Sequence, residues 1–270
     1  MSTDRVPTTV RDIFTLSSVL RRAVRLGKLT DNPVRWVDKP RIDRRPKIRF
    51  LDQQEEARLR AALNARDTEM REARGTANAR REGRERELLP SLPHFGDHLT
   101  PAVLLSMNTG LRRGELLALR WETVDFKRRI LTIEGGTSKS RQTRHVPLND
   151  ESTGVLSRWR EQTLGGRHIF EVKTSFKTAW AKLLKRADVM KFRWHDLRHH
   201  FASRLVQAGV PLNTVRDLLG HSSVAMSLRY AHLAPDQRRE AVAKLNQKPL
   251  LALTLRLQPE SLFDCADLYC

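Results

Sequence analysis

The stretch WHDLRHHFASRL, residues 194–205, places three histidines and two arginines in a segment with helical spacing. His195 and Arg198 are three positions apart, so they share one face of a helix. His195 and His199 are four apart, which is the spacing of a metal-binding pair. The stretch lacks the glutamate of a zinc-protease helix, however, and an arginine inside a ligand set repels a cation. Imidazole beside guanidinium suits a phosphate better, and we expect neither a metal ion nor a cofactor.

Four other residues elsewhere in the chain have the side chains that phosphate chemistry needs. Arg112 follows a Thr-Gly turn at a predicted helix N-terminus, where backbone N–H groups already favour an anion. Lys139 lies at the tip of a predicted hairpin over 128–149, and His221 directly follows a glycine that ends a predicted helix. Tyr230 comes nine residues after His221 and is one of two tyrosines in the chain. Alone, each of these residues also fits a purely structural role.

In order and together, these motifs resemble those of the tyrosine recombinases, also called phage integrases, which include the Xer-type enzymes. The matching boxes are T-G-L-R at Thr109–Arg112, the lysine hairpin at Lys139 running into Arg144 and Val146-Pro147-Leu148, H-x-L-R at His195–Arg198, L-G-H at Leu219–His221, and the nucleophile at Tyr230. The intervals of 23 positions from Arg198 to His221 and 9 from His221 to Tyr230 also look like the family's spacing. The resemblance covers roughly residues 8–245.

The resemblance implies a role for each member of the set Arg112, Lys139, His195, Arg198, His221 and Tyr230. Attack on a phosphodiester gathers negative charge on the non-bridging oxygens, which the forked donors of two arginines and a hydrogen bond from His221 stabilise. Tyr230 is the expected nucleophile and forms a covalent phosphotyrosine, so no ATP is needed. His195 is the expected base, also able to orient the phosphate, and Lys139 is the expected acid for the leaving 5′-oxygen.

Several neighbouring residues have simpler predicted roles. We interpret Glu115 as a structural partner of an arginine, and Trp194 as a core residue. Arg113, His199 and His200 are interpreted as neighbours of the site and not as catalysts. Tyr269 lies in the unassigned tail and is expected to have no role in the chemistry.

The predicted fold is mainly α with a small antiparallel sheet, the α+β fold of a tyrosine-recombinase catalytic domain. Periodicity predicts helices over 8–27, from about 51, and at 150–162, 173–187, 211–220, 223–232 and 235–246, with a helix–turn–helix over 99–121 and strands at 128–136 and 143–149. Residues 1–45 resemble only the end of a helical core-binding domain plus a linker, so the chain looks N-terminally truncated. Residues 46–246 form the predicted catalytic domain with a charged insertion at 66–98, a solvated helix or mobile segment, and 247–270 is an unassigned tail.

The composition favours a polyanionic partner, because the formal net charge is +19 and the pI about 11.0. No run approaches the ~20 apolar residues of a membrane span, and the N-terminus lacks a signal sequence. The two cysteines, Cys265 and Cys270, form no disulfide framework, which indicates a reducing compartment. We therefore expect a cytoplasmic, prokaryotic, nucleoid-associated protein that binds double-stranded DNA as a homotetramer through a helix at about 235–246, with no membrane and no small-molecule substrate.

The leading functional prediction is a site-specific DNA recombinase or integrase that cleaves and rejoins DNA through a 3′-phosphotyrosine. A truncated, inactive, recombinase-derived DNA-binding protein is the first alternative. A relaxing enzyme with the same covalent chemistry but no synapsis, as in type IB topoisomerases, is the second. A metal-dependent hydrolase is the least favoured of the four functional hypotheses.

Overall fold

A computed structural model of the chain describes residues 5–38, 48–137, 142–163, 166–171 and 176–235. Over these ranges the protein is mainly helical with one three-stranded antiparallel sheet, which confirms the predicted fold class. The chain divides into two compact units, Met1–Arg49 and Phe50–Cys270. Each unit is described separately below.

The first unit is built on one long helix, α1 (Arg5–Arg25), followed by a short 3-10 helix over Pro33–Trp36. The buried side chain of Asn32 joins the two. Its amide nitrogen donates to the backbone carbonyl and the hydroxyl of Ser17, at 3.2 and 3.0 Å. Its carbonyl oxygen accepts from the Val34 N–H at 3.1 Å and so caps the 3-10 helix. One asparagine thus satisfies polar groups on both elements.

The second unit contains the remaining described helices and the sheet. In chain order the helices are α2 (Gln53–Glu82), α3 (Leu99–Thr109), α4 (Arg113–Leu117), α5 (Asp150–Thr163), α6 (Lys177–Arg186), α7 (Asp196–Gln207), α8 (Leu212–Leu219) and α9 (Ala225–Leu228). Short 3-10 helices lie at Trp121–Thr123, Gly135–Thr137 and Ala231–Leu233. The predicted helix over 223–232 is therefore two shorter pieces, α9 and the last 3-10 helix.

The sheet has the order β1 (Val124–Asp125), β2 (Ile130–Ile133), β3 (Arg144–Pro147), with neighbouring strands antiparallel. β2 and β3 match the predicted hairpin, whereas the two-residue β1 is too short to show an alternating pattern. Leu131 pairs with Val146 and Ile133 pairs with Arg144, and all four side chains are buried. A charged residue therefore occupies a core-facing position of β3 and needs an internal partner.

Helix α3 lies at the centre of the second unit. Its residues are apolar almost all round and nearly all of them are buried, as expected for a helix enclosed by other elements. It packs against α5 on one side and α7 on another. Gly110 ends the helix in the left-handed conformation, with φ +62°. A Cβ atom at this position would lie 2.4 Å from the Phe201 ring, so the end of α3 and the start of α7 approach as closely as a glycine allows.

Helix α2 includes the first half of the charged segment 66–98. It begins with a capping box, in which Asp52 and Glu55 each accept from the other's backbone N–H. The loop after the helix folds back on it, since Asn78 exchanges two hydrogen bonds with the backbone of Leu89. The structure thus places residues 66–82 in a continuous helix.

Trp194, directly before α7, packs against the rings of Phe176 and Trp180, with centroids 5.0 and 5.2 Å apart, as a core residue should. Helix α7 packs on α3 and α8. Its Leu197 is buried in the core cluster against which Trp194 packs. Lys139, the predicted helix from residue 236 to 246 and the tail 247–270 lie outside the described residues.

Candidate active site

Arg198 is the most deeply buried arginine of the predicted set, with 3% of its surface exposed. Its guanidinium donates to the carbonyl of Gly110 at 2.8 Å and to the carbonyl of Leu219 at 2.5 Å. These carbonyls belong to the C-terminal ends of α3 and α8, where the helix dipole is negative and favours a cation. Burial, together with the charge of Arg112, lowers the pKa of Arg198 to about 9, so the group stays charged at neutral pH.

Arg112 lies beside Arg198. The left-handed turn at Gly110, which ends α3, places Arg112 two residues further along the chain. Its backbone N–H donates to Glu115 at 2.9 Å, and its Nη1 donates to the same carboxylate at 2.8 Å. Its Nη2 lies 3.5 Å from the Gly220 carbonyl. The Arg112 side chain is partly exposed, so it faces the surface while its position is fixed from behind.

Glu115 also pairs with Arg144, the charged residue on the inner face of β3. The Nη1 and Nη2 atoms of Arg144 donate to the carboxylate at 3.2 and 2.7 Å. Its Nε donates to the Leu218 carbonyl at 3.1 Å. Burial by itself would raise the pKa of Glu115, but the hydrogen bonds and charges of Arg144 and Arg112 outweigh it and lower the pKa to about 2. The predicted structural role of Glu115 therefore has a clear geometric basis.

His221 follows Gly220, which ends α8 with φ +62°. Its Nδ1 lies 2.8 Å from the hydroxyl of Ser227, a fully buried residue of α9. Burial and the charges of Arg198 and Arg112 lower the pKa of His221 to about 3, so the ring is neutral at physiological pH. When the Ser227 hydroxyl donates to Nδ1, the proton of the neutral ring is on Nε2, which can then donate to a phosphate oxygen.

Tyr230 lies between α9 and the 3-10 helix Ala231–Leu233, and only 1% of its surface is exposed. Its hydroxyl forms a hydrogen bond of 2.7 Å with Nδ1 of His199 on α7. Burial raises the pKa of Tyr230, and the positive charges of Arg198 and Arg229 oppose that change. The ring of His195, at the exposed start of α7, packs edge-on against His199 with centroids 5.0 Å apart.

Five of the six predicted residues therefore come together. Arg112 and Arg198 contact carbonyls at the ends of α3 and α8, and His221 directly follows the glycine that ends α8. Tyr230 and His195 join the cluster through His199. The sixth, Lys139, lies outside the described residues, although the base of its hairpin is described on both sides.

Two residues of this cluster are not among the predicted site residues. His199, interpreted above as a neighbour, contacts the Tyr230 hydroxyl. Its spacing of four from His195 is the signal in the sequence, because that spacing puts both residues on one helix face. Arg144 was noticed only as part of the hairpin match. Its burial could have been suspected from the alternation of β3, which places it on the same side as Val146.

The cluster carries excess positive charge, since three guanidinium groups surround one ionised carboxylate. Such a site attracts a phosphate and stabilises charge that develops on its oxygens. Within the described residues, no group of three or more His, Cys, Asp or Glu side chains could hold a metal ion. Nor does any helix of the described ranges have the length and apolar character to cross a bilayer.

The chain matches the model of the phage integrase family over residues 96–237, which include the whole described cluster. This match spans more than half of the 270 residues, and the chain belongs to this family.

Individual proteins give the same result. The integrase of Salmonella phage P22 is 36% identical over 168 residues, a stretch that covers 55% of this chain and 42% of that protein. The XerC-like tyrosine recombinase of Caldanaerobacter subterraneus is 30% identical over 195 residues, covering 56% of this chain and 50% of that one. The matched part thus spans about half the length of these relatives.

Among solved structures, the integrase of the Tn1549 transposon, in complex with a circular intermediate DNA, superposes with a TM-score of 0.61. The similarity covers 91% of this chain and 80% of the other, at 19% sequence identity. At this identity the likeness establishes the fold.

Proposed function

We propose that this protein is a site-specific DNA recombinase that cleaves and rejoins double-stranded DNA through a covalent bond between a 3′-phosphate and Tyr230. The observation that supports this most strongly is the convergence of Arg112, Arg198, His221 and Tyr230, from positions up to 118 residues apart, on one positively charged cluster. Membership of the phage integrase family supports the same chemistry.

Each residue has a defined task in the proposed reaction. Arg112 and Arg198 bind the non-bridging oxygens of the scissile phosphate, and their fixed positions mean that little reorganisation is needed as charge builds up. His221 donates a further hydrogen bond from Nε2. Tyr230 attacks the phosphorus and Lys139 gives a proton to the departing 5′-oxygen, so that the backbone bond is conserved in the phosphotyrosine. His195, at the start of α7, orients the phosphate from the solvent side.

The finer parts of the proposal concern partners and setting. We propose duplex DNA as the substrate, because the net charge of +19 suits a polyanion and the Tn1549 and P22 relatives are integrases. We further propose assembly as a homotetramer through residues 235–246, action on a mobile element, and a location in the cytoplasm at the nucleoid.

A covalent-trapping experiment tests the proposed activity. The protein is incubated with nicked duplexes from DNA flanking its gene and with pooled genomic fragments, and adducts are resolved on a denaturing gel. We expect a shifted band with the natural chain, none with Tyr230→Phe, and an unchanged band with Tyr269→Phe, the other tyrosine of the chain, which matches none of the family's motifs. DNA affinity should fall steeply with salt for all three proteins, because phosphate contacts release counterions.

Three outcomes would contradict the proposal. Salt-sensitive binding without an adduct on any fragment would favour the alternative, a DNA-binding protein that keeps the pocket but does not cleave. An adduct that persists in Tyr230→Phe would assign the nucleophile to another residue. Relaxation of supercoiled plasmid by a protein that never joins two sites would support the topoisomerase-like alternative.

A further inference from the structure

The contact between His199 and Tyr230 defines the chemical surroundings of the attacking oxygen. The Nδ1 atom of His199 lies 2.7 Å from the Tyr230 hydroxyl, and the two rings are tilted by 50° with centroids 5.9 Å apart. Tyr230 is almost fully buried, so bulk water has little access to its hydroxyl. A proton that leaves this hydroxyl therefore has a nitrogen atom within hydrogen-bond reach and little solvent to go to.

The protonation states and the tautomer of His199 together determine which partner donates in this hydrogen bond. Burial raises the pKa of Tyr230, so its hydroxyl carries a proton at neutral pH. Burial and the neighbouring His195 lower the pKa of His199 to about 4, so its ring is neutral. In the tautomer that carries its proton on Nε2, Nδ1 of His199 has a free lone pair and accepts from the Tyr230 hydroxyl. An acceptor nitrogen in this position is a base already in contact with the proton that it would remove.

His195 has a different placement. It stands at the exposed start of α7, and its ring meets the ring of His199 edge-on, with an interplanar angle of 87°. His195 is exposed and His199 is partly exposed. A proton accepted by His199 can therefore pass to solvent, either directly or by way of His195.

We propose that His199 is the general base that removes the proton from Tyr230 during DNA cleavage. The proposal rests on the function proposed above. In the step, the Oη–phosphorus bond forms as the phosphorus–5′-oxygen bond breaks, and the hydroxyl proton moves to Nδ1 of His199. The leaving oxygen keeps the electron pair of its bond and takes a proton from the general acid, for which Lys139 is the candidate. Religation reverses each transfer.

Charged and titratable groups surround His199 on two sides. They are His195, Asp196 and Arg198 on its own helix, and His221, Arg229 and Tyr230 from the segment after α8. The cationic members hold the pKa of His199 down in the free protein. A DNA phosphate bound by the arginines brings negative charge beside the ring and raises its pKa, which makes the imidazole a stronger base when substrate is present.

The first test measures the single-turnover rate of adduct formation on a nicked duplex that the natural chain cleaves. We expect His199→Ala and His199→Gln to form the Tyr230 adduct at least ~10²-fold more slowly, within the range that general bases contribute. DNA affinity and thermal unfolding should stay close to those of the natural chain. His94→Gln is the matched control, because His94 pairs with Glu161 away from the cluster and its loss should leave the rate unchanged.

The pH profile separates a base from a residue that only holds the tyrosine in place. With His199 present, the rate should be nearly flat between about pH 6 and pH 9. Without it, the tyrosine must ionise to solvent, so log rate should climb by about one per pH unit over the same interval. The glutamine variant sharpens this distinction, because its amide oxygen accepts the same hydrogen bond but cannot take up the proton. A natural rate and a flat profile for His199→Gln would overturn the proposal.

A substrate with a different leaving group separates the general base, which acts on the nucleophile, from the general acid, which acts on the leaving oxygen. With sulfur in place of the bridging 5′-oxygen, the departing thiolate needs no proton, so loss of the general acid should cost little. Loss of His199 should still slow the reaction by the same factor, because the nucleophile is unchanged. Recovery of His199→Ala on this substrate would contradict the assignment. If the natural chain forms adducts while both His199 variants keep its rate, the base assignment fails and the recombinase function stands; if the natural chain forms none, the function fails first.

Discussion

Arginine–carboxylate pairs occur in two very different regions of this protein. In the cluster, Arg144 meets Glu115 at 2.7 Å, with side chains that are 8% and 2% exposed. On the outer part of α2, Glu69 meets Arg186 at 2.5 Å, with side chains that are 61% and 39% exposed. The bond lengths are similar, but water reaches only the second pair. The free-energy consequences of breaking each pair therefore differ.

The cost of breaking each ion pair depends on the surroundings of the charged side chain that remains after its partner is removed. At the surface, a released arginine returns to water at almost no cost, so exposed pairs contribute little. In the interior, removal of one partner leaves a charge without solvent or counter-ion. Glu115 serves two arginines at once, so the cluster depends on a single carboxylate to hold its positive charge in place. The charged side chains on the outer part of α2, in contrast, are exposed to water and do not depend on one another for solvation.

The largest expected effect comes from Glu115→Ala. The substitution leaves Arg144 buried without its counter-ion and frees Arg112, which should destabilise the fold by about 3–5 kcal/mol. Denaturant unfolding followed by circular dichroism measures this loss. The double variant Glu115→Ala/Arg144→Met should recover part of it, because the unpaired charge is gone. A loss below about 1 kcal/mol in the single variant would mean that the buried pair contributes no more to the free energy of unfolding than an exposed pair does.

A smaller effect is expected when alanine replaces a glycine in each region. Gly110 has a positive φ and its Cβ would meet Phe201, so Gly110→Ala should cost at least about 2 kcal/mol through backbone strain and overpacking. Gly75 lies in α2 with nothing within 4 Å of its Cβ position, so Gly75→Ala should stabilise the helix by about 0.5–1 kcal/mol. Thermal unfolding should therefore shift in opposite directions. Equal shifts would mean that the turn after α3 is less constrained than its geometry indicates.

The smallest effect is expected for Arg186→Ala. Loss of the exposed pair with Glu69 should change stability only marginally, and high salt should remove most of the difference. Parallel denaturation at low and high ionic strength provides the measurement, with Lys182→Ala as a control for loss of an α6 cation. A clear loss of stability that does not depend on salt would show that Arg186 contributes through packing of its stem and not through charge.

Sequence periodicity predicted most helices of the second unit, since an apolar stripe identifies the face that must be buried. It also predicted the β2–β3 hairpin. It was less successful where length or composition gave no pattern. Two-residue β1 shows no alternation, and the split of 223–232 into α9 and a 3-10 helix depends on packing around Ser227 and Tyr230. The charged half of α2 has no strong apolar stripe, because only a few of its residues face the core.

The residue types in the sequence, and their resemblance to the motifs of the tyrosine recombinases, predicted five members of the cluster but not His199 or Arg144. Arginine, histidine and tyrosine at these intervals identified five positions that the structure brings together, because the boxes follow glycine turns and helix ends that local sequence specifies. The positive charge of the chain likewise depends on composition alone.

Only the tertiary structure decided how those groups are held. The carbonyls that bind Arg198 come from residues 88 and 21 positions away, and the guanidinium that completes Glu115 comes from β3, 29 positions away. No local pattern encodes such contacts, since they depend on how α3, α7 and α8 pack. The same packing puts His199, and not the more exposed His195, against the hydroxyl of Tyr230. Which of two histidines four residues apart meets the nucleophile is set by the depth of each on the helix, and burial of that kind exists only once the chain has folded.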